Sequence, residues 1–153
     1  MDDSYSGAQV LWPVRTRLAV TAFARALEAR DLGAIGGLLA PECVWTDGTL
    51  ETTGAPQVLE HYRAATGWAE RAFDEWRHEC SVALMPGDLL MIIMTTYVMQ
   101  APNRWHRLEH MRKVGAGDGR LVRIIHACPA AAASAFEAFL REGGIAPPPP
   151  GFV

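Results

Sequence analysis

Histidine is the residue type in this chain whose chemistry is easiest to connect with its position, and His78 is the most informative of the five. It lies in residues 76–84, where apolar and polar side chains alternate. Strand side chains alternate between two faces, so the face that carries Trp76, Val82 and Leu84 also carries the imidazole. An imidazole titrates near neutral pH, and in an enclosed pocket it can accept or donate a proton.

Two later alternating stretches predict the same arrangement, one with His106 and His110 on a common face and one with His126. A core histidine bonded to a backbone carbonyl is the simpler interpretation of any one of these residues. Several imidazoles that converge on one cavity would instead provide a general acid and a general base. The candidate catalytic histidines are therefore His78, His110 and His126.

Acidic and aromatic side chains extend the candidate site. Asp47 precedes Gly48, where an aspartate is either a turn residue or a catalytic acid or base. Tyr97 has two interpretations: it supplies a hydroxyl to the pocket, or it lies in a contact between subunits. The other expected lining residues are large and mostly apolar, with the core as their alternative location: Trp45, Tyr62, Trp76, Met91, His106 and Ile124.

No metal or other cofactor is expected. His106 and His110 are four positions apart on one strand, which separates them by roughly 13 Å, and the metal-binding patterns H-x-H and H-E-x-x-H do not occur. A serine nucleophile is not expected either, because the sequence contains no G-x-S-x-G. Thiol catalysis by Cys80 or Cys128 is an alternative, although buried cysteines are usually inert.

Length and composition favour one globular domain. A chain of 153 residues is long enough to bury about 70% of the surface that its unfolded form exposes. A net charge of −3, from 14 basic and 17 acidic residues, provides no basic surface for nucleic acid or for an anionic membrane. We therefore expect neither of them as a partner.

Cysteine usage and the N-terminal sequence favour a cytoplasmic setting. Cys43, Cys80 and Cys128 are odd in number and widely spaced, which argues against a disulfide framework. The N-terminus has no basic region followed by an apolar core. The longest strongly apolar run, residues 89–94, is too short to span a bilayer. We expect a soluble protein of the cytoplasm.

The order of elements predicts helices first and a sheet second. Residues 1–13 and the proline-rich residues 146–153 are expected to be tails on either side of one domain, residues 14–145. Helical spacing and helix-start signals predict helices over residues 14–30, 32–39, 56–69 and 129–143. Strand patterns and turn residues predict strands over residues 42–50, 73–84, 89–100, 105–114 and 121–127.

Short links between the last four strands favour antiparallel pairing, which gives an α+β fold with a C-terminal helix. A strongly curved sheet wrapped over three N-terminal helices forms a cone-shaped barrel, and its inward positions carry the chemistry. Residues 89–100 are apolar on both faces. We expect helices on one face and a second subunit on the other, which predicts a homodimer.

Residues 15–142 resemble the nuclear transport factor 2-like superfamily in the order of their elements and in short motifs. The motifs ARDL at residues 29–32, LAPE at 39–42 and VWTD at 44–47 look like that superfamily's usual opening. Residues 118–126, DGRLVRIIH, look like its closing hairpin. Within the superfamily, the sequence is most similar to SnoaL-like polyketide cyclases and to scytalone dehydratase.

The resemblance to scytalone dehydratase implies roles for several residues. His78 matches the histidine that follows the third helix in that enzyme, and Glu28 matches its acidic residue near the end of the first helix. The second catalytic histidine of the enzyme matches either His106 or His110. A pocket tyrosine of the enzyme falls on Asp47, which is a departure from the family pattern.

Other members of the superfamily imply different residues. SnoaL-like and limonene-epoxide-hydrolase-like members carry a catalytic aspartate late in the final strand, and His126 aligns with it. The epoxide hydrolase also carries an arginine and an aspartate on the preceding long strand, which fall near Met94 and Thr96. This departure argues against epoxide hydrolysis by the same triad.

The inward histidines and the resemblance together predict a cofactor-independent lyase or isomerase, either a dehydratase or a cyclase. Its expected substrate is a cyclic, mostly apolar small molecule such as a polyketide intermediate, and its expected mechanism is general acid and base catalysis. The alternative is a non-catalytic module of the same fold that binds a small ligand or assembles as a dimer.

Overall fold

The structure of the protein, a computed structural model, describes residues 7–86 and 89–153, with side chains from Val14 onward. Within these residues it contains four helices and six strands. The helices are α1 (Gly7–Ala29), α2 (Leu32–Leu38), α3 (Ala55–Ala72) and α4 (Ala130–Glu142). The strands are β1 (Leu39–Thr46), β2 (Glu51–Thr53), β3 (Glu75–Leu84), β4 (Leu90–Gln100), β5 (Arg104–Gly117) and β6 (Arg120–Ala127).

The strands form one curved, open sheet in the order β2-β1-β6-β5-β4-β3. β1 and β6 are parallel, and every other neighbouring pair is antiparallel. The three long strands pair in continuous register, with Glu75 opposite Met99 on β3 and β4 and Leu90 opposite Val114 on β4 and β5. The architecture confirms the predicted α+β fold with a mixed, mostly antiparallel sheet.

Helices cover one face of the sheet, and alternation along β4 decides which side chains lie beneath them. Ile92, Met94 and Val98 are fully buried, whereas Ile93 on the outer face is 42% exposed. One apolar cluster joins α1 and α3 to the inner face and includes Ile92 and Met94. A second cluster lies beneath α4 and includes Phe152 from the C-terminal segment. The candidate site lies where these two clusters meet.

Two predictions involve residues at the edge of the described structure. α1 begins at Gly7, so the N-terminal tail predicted over residues 1–13 is too long, and residues 1–6 lie outside the described residues. Residues 86–88, with the sequence Pro-Gly-Asp, predict a turn between β3 and β4. Of these, residues 87–88 also lie outside the described residues.

Two features of the sheet differ from the sequence prediction. The short strand β2 was not expected, and it pairs with β1 across the turn that begins at Asp47. β5 continues to Gly117 through the first part of the glycine-rich stretch that was expected to be a turn. The actual turn is Asp118 and Gly119, with φ angles of 52° and 75°. Left-handed backbone at both positions suits a tight hairpin between twisted strands.

The C-terminal segment, residues 146–153, differs most from its predicted role as a tail. It contains no helix or strand, as four consecutive prolines require. It nevertheless packs against the domain, because Phe152 is 2% exposed and belongs to the second apolar cluster. The proline pattern predicts the local backbone but not where the apolar residues after it are buried.

Candidate functional site

A row of polar side chains crosses the inner face of the sheet from β3 to β5. His78 on β3 is the register partner of Thr96 on β4. His110 on β5 is the partner of Met94, so the two histidines approach Thr96 from opposite sides. Arg112 follows two positions after His110 on the same face. Thr96, His110 and Arg112 are at most 1% exposed, while His78 is half-buried.

Hydrogen bonds connect this row into one chain. The hydroxyl of Thr96 lies 2.7 Å from His78 Nδ1 and 2.7 Å from His110 Nε2. The other ring nitrogen of His110, Nδ1, lies 2.8 Å from Arg112 Nη1. A single hydroxyl therefore bridges two imidazoles at distances that permit proton transfer.

Arg112 sets the direction of the chain, because a guanidinium donates hydrogen bonds and cannot accept them. His110 Nδ1 must accept from Arg112, so neutral His110 carries its proton on Nε2 and donates it to Thr96 Oγ1. The Thr96 hydroxyl then donates to His78 Nδ1. Neutral His78 consequently carries its proton on Nε2 and ends the chain as an N–H donor.

His126 on β6, the register partner of Arg112, has the opposite tautomer. The indole N–H of Trp45, which can only donate, points at His126 Nε2 over 2.9 Å. The hydroxyl of Tyr62 lies 3.1 Å from the same nitrogen. Neutral His126 therefore carries its proton on Nδ1, which lies 3.3 Å from the main-chain oxygen of Val153.

Burial keeps these three imidazoles neutral. It lowers the pKa of His78 to about 3, and the cations of Arg112 and Arg30 act in the same direction. Burial likewise lowers the pKa of His110 and the pKa of His126 well below their ordinary values, again with a contribution from Arg112. At neutral pH each ring therefore has one N–H and one acceptor nitrogen, as the tautomer assignment requires.

Arg112 is a buried cation whose contacts are all to uncharged groups. In addition to His110, it donates from Nη2 to the main-chain oxygen of Phe152 at 3.0 Å, and its Nε is buried without a hydrogen-bond partner. Burial lowers the pKa of Arg112 to about 10, so the side chain is charged at neutral pH. Within the described residues, no ion pair includes Arg112. An unpaired buried charge is costly, and such costs concentrate at functional sites.

The polar row borders a small cavity between the sheet and helices α1 and α3. About 20 Å³ of this cavity is unfilled, which is room for about one water molecule. Gly151 and Phe152 of the C-terminal segment form part of its lining. Among the described residues that line the cavity there is no carboxylate: Leu27, Arg30, Ile35, Tyr62, Ala65, Thr66, Trp76, His78, Met94, Arg112, Gly151 and Phe152.

The structure brings several of the predicted site residues together. His78, Tyr62 and Trp76 line the cavity, and His110 and His126 join it through the hydrogen bonds described above. All three candidate catalytic histidines lie on the inner face of the sheet. Trp45 is not among the lining residues of the cavity, but its indole N–H donates a hydrogen bond to His126.

His106 and Ile124 lie on the inner face but outside the cavity. His106 stacks on Phe136 and Phe139 beneath α4, with ring centroids 5.6 and 5.0 Å apart. Of the two histidines left open by the sequence, His110 is therefore the one in the polar row. Ile124 is fully buried in the apolar core beside its register partner Trp45.

The prediction that Met91 and Tyr97 line the cavity is wrong. They lie on the face of β4 opposite to Met94 and Thr96, since strand side chains alternate. Tyr97 instead packs under the guanidinium of Arg77, 4.3 Å from its ring centroid. Because β4 is apolar on both faces, its sequence offered no contrast that could orient it.

Neither predicted carboxylate reaches the cavity. Glu28 accepts a hydrogen bond from the main-chain N–H of Cys80 at 3.1 Å, and it pairs with an arginine of its own helix. It thereby ties α1 to β3. Asp47 accepts hydrogen bonds from the main-chain N–H groups of Leu50 and Thr49. Partial burial acts to raise the pKa of Asp47, but these hydrogen bonds outweigh it and lower the pKa. Asp47 is therefore a turn residue and not part of the cavity.

Sequence reasoning missed three members of the site: Thr96, Arg112 and Phe152. The alternating pattern places Arg112 on the same face as His110, so the signal for it was present. Thr96 has no signal apart from its place in an apolar strand. Phe152 follows the proline run, and no local pattern indicates that it returns to the core.

Burial raises the pKa of the three cysteine thiols, which does not favour thiol catalysis. Burial raises the pKa of Cys80 to about 12, with a contribution from the charge of Glu28, and burial raises the pKa of Cys43 to about 11. Protonated thiols are poor nucleophiles.

Across residues 7–86 and 89–153, no three histidine, cysteine or acidic side chains are grouped as metal ligands. No helix in that part of the chain is long and apolar enough to cross a membrane.

Comparisons with solved structures agree with the fold. TerC co-crystallized with polyporic acid is 15% identical, with a TM-score of 0.66 and coverage of 83% of this chain and 98% of that one. A proposed polyketide cyclase from Xanthomonas campestris is 13% identical, with a TM-score of 0.60 and coverage of 79% and 95%. An LEH-like epoxide hydrolase from M. tuberculosis is 18% identical, with a TM-score of 0.58 and coverage of 83% and 90%. At these identities the likeness shows the fold alone.

The sequence itself shows the family. None of the curated proteins matches the chain. The family described as SnoaL-like domain matches residues 20–127, a range that contains β1 to β6, α2, α3 and all five histidines. The chain belongs to the SnoaL-like domain family of the nuclear transport factor 2-like superfamily.

Proposed function

We propose that the protein is a cofactor-independent lyase or isomerase, a dehydratase or cyclase, that acts on a cyclic, mostly apolar small molecule such as a polyketide intermediate. Membership of the SnoaL-like family supports this class of enzyme. The observation that carries the proposal is the directed hydrogen-bond chain from Arg112 through His110 and Thr96 to His78. A cavity that only held apolar ligands would not need this chain.

The hydrogen-bond chain supplies the donors that such a reaction needs to stabilise negative charge. When a proton passes from the carbon next to a carbonyl to water or hydroxide, negative charge develops on the carbonyl oxygen, and positioned donors stabilise it. His78 Nε2–H is one donor, and it can also donate a hydrogen bond to a departing hydroxyl group. His126 Nδ1–H is a second donor. The low pKa of each ring keeps it a neutral imidazole at working pH, a form that can polarise a carbonyl.

Hydrogen exchange tests this proposal before the substrate is known. A panel of cyclic ketones and 1,3-diketones is incubated with the protein in D₂O, and deuterium uptake next to the carbonyl is followed by NMR. We expect catalysed uptake on at least one ring compound, reduced about 10²- to 10⁴-fold by His78→Ala. His106→Ala is the matched control, because that ring stacks beneath α4 outside the cavity. Equal rates for wild type and His78→Ala would contradict the proposed role.

A non-catalytic ligand-binding module is the second candidate, and one observation favours it. No carboxylate base lines the cavity among the described residues. TerC, which shares the fold, was co-crystallized with polyporic acid. A protein that binds ring compounds without accelerating their deuterium uptake would be such a module.

We further propose a cytoplasmic homodimer that pairs through the outer face of β4 and β5. Ile93 and Trp105 on this face are 42% and 49% exposed, and exposed apolar patches often mark interfaces. Free thiols at Cys43, Cys80 and Cys128 support a reducing compartment. Sedimentation tests the dimer, and a monomer at micromolar concentration would contradict it.

A further inference from the structure

We propose that the cavity binds an aromatic or similar cyclic anion, a carboxylate or enolate, in the place that Phe152 occupies in this structure. The anionic oxygen takes the position of the Phe152 main-chain oxygen at Arg112, and the ring takes the position of the Phe152 side chain. The C-terminal segment is then a competitor that leaves when the ligand binds. The inference deepens the proposed function by naming the substrate class, and it rests on that function only for the choice of cavity.

Three hydrogen-bonding groups beside the C-terminal segment are donors. Arg112 Nη2 donates to the main-chain oxygen of Phe152 at 3.0 Å, and His126 Nδ1 donates to that of Val153 at 3.3 Å. The chain through Thr96 gives His78 a proton on Nε2 as well. A ligand that satisfies three donors offers acceptor oxygens, and an anionic oxygen makes the strongest such bonds.

Charge around the cavity leads to the same class of ligand. The histidines are neutral, and the charged side chains among the described lining residues are Arg30 and Arg112. Arg30 is exposed, with its guanidinium 4.6 Å from the ring centroid of Trp76. Arg112 lies at the base, with Nε unpartnered. A low-dielectric cleft with one sign of charge attracts the opposite sign, so an anion completes this site.

The Phe152 side chain marks a slot for a planar ring. Its ring centroid lies 4.9 Å from that of Trp68, 6.0 Å from those of Trp76 and Phe136, and 5.8 Å from that of His78. These separations are typical of aromatic pairs. Only about 20 Å³ is left around the segment, too little for a ring, so ligand and segment exclude one another.

Gly151 is the residue that allows the segment to enter. Its φ is +107°, a backbone conformation that side-chain-bearing residues rarely adopt. A Cβ at this position would lie 2.7 Å from the main-chain oxygen of His61 on α3. Gly151→Ala therefore displaces the segment by a backbone clash and leaves the donors of the cavity unchanged.

Calorimetry with 2-hydroxybenzoate and its neutral match 2-hydroxybenzamide tests the proposal on the full chain. We expect Gly151→Ala to bind 2-hydroxybenzoate about tenfold or more tightly than wild type, because a competing occupant lowers apparent affinity by the fraction of open sites. Phe152→Ala serves as a second release variant if Gly151→Ala is poorly folded. Pro150→Ala is the control, since that residue is exposed in the same segment. Equal affinities for the release variants and wild type would overturn the competition.

Arg112→Met in the Gly151→Ala background tests the charge. It should weaken 2-hydroxybenzoate binding by about tenfold or more, since a charge-assisted bond is lost, and leave 2-hydroxybenzamide within about twofold of its former affinity. Arg112→Lys, which keeps the charge, should retain preference for the acid. Equal loss for acid and amide would overturn the inference. Anion binding without deuterium uptake would refute only the proposed catalysis, whereas uptake on neutral ketones without acid preference would refute only the anion site.

Discussion

Two of the arginines on strand β5, Arg107 and Arg112, lie in opposite settings. On the outer face, Arg107 donates to the carboxylate of Glu109 at 2.8 Å, and both side chains are at least 60% exposed. On the inner face, Arg112 contacts His110, also two positions away and also at 2.8 Å, but Arg112 is 1% exposed. The exposed cation has a carboxylate partner, and the buried one has a neutral imidazole.

The exposed charge of Arg107 serves solubility, whereas the buried charge of Arg112 serves a site. A solvated pair such as Arg107 and Glu109 contributes roughly 0 to 1 kcal/mol and implies no function. A buried cation loses its hydration, and a neutral partner does not replace it. Arg112 is therefore held ready for negative charge that arrives with a ligand or develops during a reaction.

Removal of the buried cation should have a large effect on the rate, and removal of the exposed cation should have none. Arg112→Met should lower catalysed deuterium uptake by about 10²- to 10³-fold, the usual effect of losing one donor to an oxyanion. Arg107→Met, on the same strand but facing solvent, should leave the rate unchanged. Similar losses from the two substitutions would remove the functional distinction between the faces.

A comparison of single and double variants tests whether the inner face works as one unit. His78→Ala and His126→Ala should each lower the rate by at least about 10²-fold, and the double variant should be little worse than the worse single one. Multiplied losses, roughly 10⁴-fold in total, would show that the two donors act independently. Rates of the four proteins on one ring compound decide between these outcomes.

The inner face should also respond to pH in a way that the outer face does not. Burial lowers the pKa of His110 and His126 in the folded state, so the unfolded chain binds more protons below about pH 6.5. The free energy of unfolding therefore falls as pH decreases through that value, and for His78 the fall continues to about pH 3. Urea titrations from pH 7 to pH 5 should give a mean slope that His110→Gln reduces by about 1 kcal/mol per pH unit. An unchanged slope in the variant would mean that His110 is not held neutral.

The sequence predicts the fold well because its periodicities are clear. The alternation of residues 76–84 placed His78 on the inner face of β3, and the change from helical to strand spacing after α3 defined the α+β order. The glycines of residues 115–119 predict a longer turn than the structure contains, since β5 continues to Gly117.

The site was harder to predict because it depends on contacts between distant parts of the chain. The polar row requires the register that pairs β3, β4 and β5, and no local pattern contains that register. Glu28 and Asp47 have the right chemistry for catalysis, yet their hydrogen bonds to main-chain N–H groups serve helix attachment and a turn. Phe152 enters the cavity from the end of the chain, where the prolines indicated a tail.

The tautomers of the buried histidines test the central claim most directly. Long-range ¹H–¹⁵N correlation spectra at pH 7 distinguish a proton on Nδ1 from one on Nε2 and identify a charged ring. The directed chain predicts neutral rings with the proton on Nε2 in His78 and His110 and on Nδ1 in His126. A charged His110 ring, or a neutral His110 with its proton on Nδ1, would show that Arg112 does not donate to His110. The donor array of the cavity would then not exist.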